Sequence, residues 1–201
     1  MNETLEVITD RRSIRSFKDE QIKKQELDKI IEAGLYAPSA SNTQNWHFTV
    51  IQKREIIDEV SSWIVKEVEK INDPQLNETA ATSGGKFFRN APTVIIISSD
   101  SKDPSSEVNA AAATENILLA AESLGIGSCW IGMARFLSRL DCYADYAKQL
   151  QMPKRVHHHE RYHLGLQSFG KPCCFRKKAE RGCVYRLNCL GDGRQICLSQ
   201  K

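Results

Sequence analysis

Residues 93–98 read Thr-Val-Ile-Ile-Ile-Ser, and residues 106–133 read Ser-Glu-Val-Asn-Ala-Ala-Ala-Ala-Thr-Glu-Asn-Ile-Leu-Leu-Ala-Ala-Glu-Ser-Leu-Gly-Ile-Gly-Ser-Cys-Trp-Ile-Gly-Met. The first stretch is a continuous β-branched run, the kind buried on both faces of a sheet. The second predicts an alanine-rich helix over 106–124, with Ser105 or Ser106 as its cap and Gly125 as its stop. So much alanine implies close helix packing at the centre of the molecule. The glycine-flanked apolar segment from Gly127 to Met133 then leaves that helix.

Working towards the N-terminus, Lys53–Ile71 carries Ile56, Ile57, Val60, Ile64 and Val68 at helical spacing, and His47–Gln52 is aromatic and β-branched like a strand. A helix is predicted over Lys24–Tyr36 from Leu27, Ile30, Ile31 and Leu35, and a short one over Glu3–Asp10. Pro38 cannot continue the former, so Pro38–Asn45 is a polar loop. Asn72–Gly85, with Pro74 and Gly84-Gly85, also reads as a loop. This alternation of helices and strands predicts an α+β or α/β domain.

The chain of 201 residues is 41% hydrophobic and 26% charged, which excludes a disordered, collagen-like or coiled-coil polypeptide and fits a single domain. The most apolar run, Val94–Ile97, is too short to span a bilayer. Met1–Asp10 carries acids and lacks a basic start followed by an apolar stretch, so the expected location is the cytoplasm. A net charge of +3 does not by itself suggest nucleic acid. The charge is uneven, however. Residues 1–139 hold 16 Lys+Arg against 20 Asp+Glu, whereas residues 140–201 hold 12 against 5, together with six of the seven cysteines and four of the five histidines.

Three segments could carry chemistry. Arg11, Arg12 and Arg15 lie around Ser13, and guanidinium forks with a hydroxyl suit a phosphate, although a solvated basic turn has the same composition. Residues 38–46, Pro-Ser-Ala-Ser-Asn-Thr-Gln-Asn-Trp, offer hydroxyls and amides that suit a heterocycle edge as well as a surface turn. Residues 125–132, Gly-Ile-Gly-Ser-Cys-Trp-Ile-Gly, follow a helix rather than a strand, so they are no dinucleotide fingerprint; their glycines let backbone approach a flat ligand. Cys129 has no evident base beside it and reads as a packed small hydrophobe. The histidines and late cysteines lack a Cys-x2-Cys pair, and no metal site is assigned.

Together, and in this order, the Arg11–Phe17 loop, the Ala37–Phe48 loop and Gly127–Gly132 resemble the FMN-dependent nitroreductase family over residues 1–137. The resemblance implies an α+β fold in which helices pack a mixed, mostly antiparallel sheet. It also implies an intertwined homodimer with two FMN sites at its interface. Arg11, Arg12, Ser13 and Arg15 would hold the FMN phosphate, ribityl chain and pyrimidine edge. Pro38, Ser39, Ala40, Asn42 and Gln44 would come from the other chain, and Ile131 and Gly132 would lie against the isoalloxazine. NAD(P)H would deliver hydride to an open flavin face, and a nitroaromatic, quinone or similar acceptor would follow in the same slot, giving ping-pong kinetics. With the flavin carrying the redox chemistry, no catalytic side chain is assigned. The family often has a second Ser at Ala40 and Pro at Asn45; the latter reads as neutral.

After residue 140 the match frays. The family pattern has a buried strand like Ala-Ile-Thr-Leu-Gly-Tyr, then a basic arm reaching the phosphate. Leu164-Gly165-Leu166, Phe169-Gly170-Lys171-Pro172 and Arg176-Lys177-Lys178 keep parts of it, with Arg176 as the phosphate candidate, whereas Glu160-Arg161-Tyr162-His163 is poor for burial. Codons for Glu-Arg-Tyr-His-Leu-Gly, read one base later, permit Asn-Ala-Ile-Thr-Leu before Gly. Residues 140–201 of this single domain are thus either a divergent arm or a frame-shifted one. Two other functions fit the residues: a flavin-binding protein without efficient turnover, and an interaction module using the basic tail on an anionic partner.

Overall fold

The computed structural model describes residues 2–99, 102–139, 147, 148, 150, 165–170, 185–189 and 195–199. The elements in chain order are α1 (Glu3–Asp10), α2 (Lys24–Leu35), β1 (Trp46–Ile51), α3 (Arg54–Ile71), α4 (Pro74–Ser83), β2 (Thr93–Ser99), α5 (Ser106–Ser123), β3 (Gly127–Ile131), β4 (Gly165–Gly170), β5 (Tyr185–Cys189) and β6 (Gln195–Ser199). Short 3-10 turns occupy Ala40–Asn42 and Gly132–Arg139.

Four strands form one sheet in the order β1-β2-β4-β3, and each pairing in it is antiparallel. A parallel bridge joins Ser13 to Ser128 on the outer edge of β3. The α+β architecture expected from the resemblance is therefore present, and the strand pairings of this sheet among the described residues are antiparallel. β5 and β6 make a separate antiparallel pair. Residues 165–170, which keep part of the family's strand pattern, form β4 and lie between β2 and β3; Glu160–Leu164 and Arg176 lie outside the described residues.

The apolar run of β2 is buried throughout because each face meets its own helix layer. Successive side chains of a strand point to opposite faces. Val94 and Ile96 accordingly join Ile57, Val60, Ile64 and Val68 of α3, while Ile95 and Ile97 join Ile30 of α2 and Ala110, Ile117 and Ala121 of α5. Each fully buried isoleucine contributes on the order of 1.5–3 kcal/mol relative to exposure.

One prediction from sequence fails here. Asn72–Gly85 is not a loop but contains α4. Its start is capped by the Asp73 carboxylate, which accepts the Leu76 amide at 3.0 Å, with Pro74 in the first turn, and Gly84 ends it at φ 57°. Only Leu76 and Ala80 of α4 pack against the core, so the apolar periodicity that marks the other helices is missing.

Close approach of α2 and α5 depends on Gly34. A Cβ there would lie 2.8 Å from Cδ1 and Cγ1 of fully buried Ile117 and 3.1 Å from Cζ of Phe48. Gly34→Ala should therefore lower the melting temperature by roughly 2–10 °C through overpacking. Adding Ile117→Val should cost less than the sum of the two single changes; additive losses in thermal melts would contradict the contact.

Candidate functional site

The Arg11–Phe17 segment follows α1 and is anchored by two buried side chains. Ile14 and Phe17 are buried in the core beneath α3, while Ser13, Arg15 and Ser16 face outward. The Ile14 amide donates to the Ser128 carbonyl at 2.9 Å, which docks the segment on β3. Arg11 Nε lies 3.8 Å from Glu115 Oε1 of α5. Arg12 turns back, its Nη1 donating to the carbonyls of Thr9 and Arg11, both at 2.7 Å, and so satisfies carbonyls at the end of α1. Arg15 is exposed, with one long contact of 3.5 Å to the Ser13 carbonyl.

Cys129 follows Ser128 on β3 and is buried. Burial pushes its thiol pKa up, and Arg15, Arg89 and Arg11 pull the other way. Cys129 thus lies in the positive field of three guanidinium groups. Arg89 escapes a reading of the sequence because it arrives from the turn before β2, where it sits at φ 55°. Further along β3, Ile131 is buried and Gly132 follows. Gly132 has no left-handed φ, and nothing among the described residues lies within 4 Å of where its Cβ would be. The packing of the described residues therefore does not demand glycine there, and the space beside it suits a flat ligand. Together with the arginines, this fits a planar heterocycle carrying a phosphate.

The second predicted segment lies elsewhere. Residues 38–45 lead into β1, whose first residue pairs with Ser99, so they sit at the opposite edge of the sheet from the Ser13–Ser128 bridge. Three strand spacings, about 14 Å, separate the edge strands. The structure thus brings Arg11, Arg12, Ser13, Arg15, Ile131 and Gly132 to one side, and Pro38, Ser39, Ala40, Asn42 and Gln44 to the other. In the latter loop Ser41, Asn42 and Gln44 have φ of 51°, 55° and 45°. Left-handed backbone costs a non-glycine residue about 1–2 kcal/mol. Within the loop, the Gln44 amide donates to Ser39 Oγ at 3.1 Å, and Gln44 Nε2 donates to Asn42 Oδ1 at 2.9 Å. Asn45 is not neutral here: its Nδ2 donates to Asp103 Oδ2 and to Ser106 Oγ, both at 2.8 Å.

The Nitroreductase family model matches residues 8–170, which carries the likeness past residue 137, where the sequence motifs give out. The chain belongs to the nitroreductase family. A protein of Archaeoglobus fulgidus provisionally named an NADH dehydrogenase/NAD(P)H nitroreductase is 39% identical over 66% of this chain and 69% of its own. One of the same name from Methanothermobacter thermautotrophicus is 33% identical over 69% of this chain and 65% of its own. The chain thus spans about two thirds of the length of these relatives. A nitroreductase of Bacteroides fragilis, solved with bound FMN, superposes with a TM-score of 0.80 at 31% identity, covering 90% of this chain and 96% of that one. The fold of this nitroreductase-family chain is the fold of that structure.

Burial in the core, which also pushes its thiol pKa up, makes Cys129 a packing residue. In the folded protein at pH 7 it should resist iodoacetamide and become modified only on unfolding, as read by peptide mass spectrometry; labelling at the rate of a free thiol would contradict its burial.

Proposed function

We propose that the protein transfers two electrons from NAD(P)H to nitroaromatic, quinone or similar small acceptors, with FMN as its cofactor. It is an NAD(P)H-dependent flavin oxidoreductase. The observation that carries this reading is the arginine-bearing segment docked on β3 beside Gly132. When bound, FMN supplies the hydride and electron chemistry. The chain supplies binding, orientation and charge. Arg11 and Arg15 neutralise the phosphate and the pyrimidine edge, Ser13 adds a hydroxyl contact, and Arg12 adds charge from its post on α1. Ile131 and Gly132 flank the ring system. Arg176 is the candidate from the C-terminal arm.

A ligand that touches both loops takes them from two copies of the chain, because one copy holds them at opposite edges of its sheet. A homodimer also gives a partner to side chains exposed on neighbouring elements. Leu5 and Ile8 of α1, Leu35 and Tyr36 at the end of α2 and Val108 of α5 are 49, 49, 52, 79 and 70% exposed. No helix among the described residues is long and apolar enough to cross a membrane. We infer that donor and acceptor occupy one slot in turn, so initial-rate plots should give parallel lines. The composition break at residue 140 favours one second reading, a flavoprotein without efficient turnover. Residues 140–201 are either a divergent arm or a frame-shifted one. Gene resequencing that agrees with an intact mass of 22.7 kDa leaves the divergent arm, and a one-base discrepancy leaves the shifted one.

The purified protein should be yellow and bleach anaerobically on adding NADH or NADPH; a yellow protein that neither nucleotide bleaches would favour the second reading. Arg15→Ala should weaken FMN binding about 10- to 100-fold by removing a charge-assisted contact, with the melting temperature of the flavin-free chain little changed. Asn42→Ala should act the same way from the other loop. Unchanged FMN affinity in either variant would remove that residue from the site.

A further inference from the structure

We propose that Asn109 is a positioning residue for the loop of residues 39–44: with Asn45 and Asp103 it forms a clasp that holds the loop in the strained shape offered to the flavin, without touching the flavin itself. The proposal rests on the FMN reading above and assigns a role to a residue which that reading does not use.

Asn109 lies on the first turn of α5 and is 3% exposed. Its Oδ1 accepts the Ala40 amide at 2.9 Å, just before the strained run. Its Nδ2 donates to Thr43 Oγ1 at 3.3 Å, within the run, and to Asn45 Oδ1 at 3.2 Å, just after it. One buried amide therefore grips the loop at three points that bracket the left-handed residues Ser41, Asn42 and Gln44. The grip is anchored in turn. Asn45 Nδ2 donates to Asp103 Oδ2 and Ser106 Oγ, Thr43 Oγ1 donates to Asp103 Oδ2 at 3.3 Å, and Asp103 Oδ1 accepts the Ser105 amide at 2.8 Å. The carboxylate is thereby tied to the start of α5.

None of the three left-handed residues is glycine; asparagine tolerates this region, but nothing in the preferences of Ser41 and Gln44 holds them there. Released from the clasp, the loop would relax to ordinary φ and turn Ser39, Asn42 and Gln44 away from their present directions. The apparent dissociation constant of a ligand rises as the fraction of competent loop falls. Asn109 also needs the loop: without it, a buried amide would lose three partners.

The test titrates the flavin-free full-length chain with FMN, read by quenching of FMN fluorescence, for wild type, Asn109→Ala and Asn45→Ala. The half-saturating FMN concentration should rise about 10- to 100-fold in both variants, corresponding to a loop competent in about 1–10% of molecules. At saturating FMN, kcat should stay within about twofold of wild type, because neither side chain meets the reacting atoms. Amide exchange in the flavin-free chain should accelerate at Ala40 and Gln44 while the β2 amides stay protected. Should Asn109→Ala fail to fold, Asn45→Ala carries the test from the partly exposed end of the clasp. A merely structural role would lower the folded fraction and leave the half-saturation of the remainder unchanged, and that result overturns the proposal. Wild type that saturates alongside variants indistinguishable from it overturns the clasp alone; wild type without saturable quenching overturns the FMN reading and the clasp with it.

Discussion

The hydrogen bond from the Ile14 amide to the Ser128 carbonyl fixes the direction in which every functional residue of the N-terminal segment points. It anchors a segment that buries Ile14 and Phe17 in the core and leaves Ser13, Arg15 and Ser16 facing outward. A slip that put Arg15 in the place of Ile14 would bury a guanidinium and expose an isoleucine. Desolvating an unpaired charge costs several kcal/mol, so the apolar anchors hold the arginines at the surface as firmly as they hold the segment down.

α5 ties the two halves of the site together. Its first turn carries Asn109, which grips the polar loop, and Glu115, about 9 Å further along the helix axis, lies beside Arg11. Its end turns at Gly125 into β3, which leads to Ile131 and Gly132. The alanines of this helix let α2, α1 and the sheet approach it closely, with Gly34 at a point of close contact. One rigid element thus sets the separation between a cationic edge and an amide-rich edge of one chain.

Much of this was legible in the sequence. Helices that bury a stripe leave a period, a strand buried on both faces leaves an unbroken apolar run, and a capped alanine-rich run ending in glycine marks a close-packed helix; by these signs α1, α2, α3, α5, β1 and β2 fall within a residue or so of where the sequence puts them. α4 left no such mark, since its contact with the core is Leu76 and Ala80; the signs it did leave, Asp73-Pro74 at the start and Gly84 at the end, are punctuation without periodicity. Strand β4 was half legible, because its Gly165–Gly170 run is preceded by charged residues unsuited to a strand between two others. In the candidate site, the arginine and serine motifs were proposed from the sequence alone. Arg89 and Asn109 were not, because their roles arise from folding: Asn109 meets Ala40 across 69 residues of chain. Asn45 looked like an indifferent replacement until its amide was seen bound to Asp103 and Ser106.

The most direct test of a site divided between two chains is subunit mixing. Arg15→Ala and Asn42→Ala chains, each with weakened FMN binding alone, are unfolded together, refolded at equal concentrations and titrated with FMN. In a mixed dimer one site inherits both defects and the other inherits neither, so tight binding should return in roughly a quarter of all sites. Mixtures that bind no better than the separate variants would contradict the shared site.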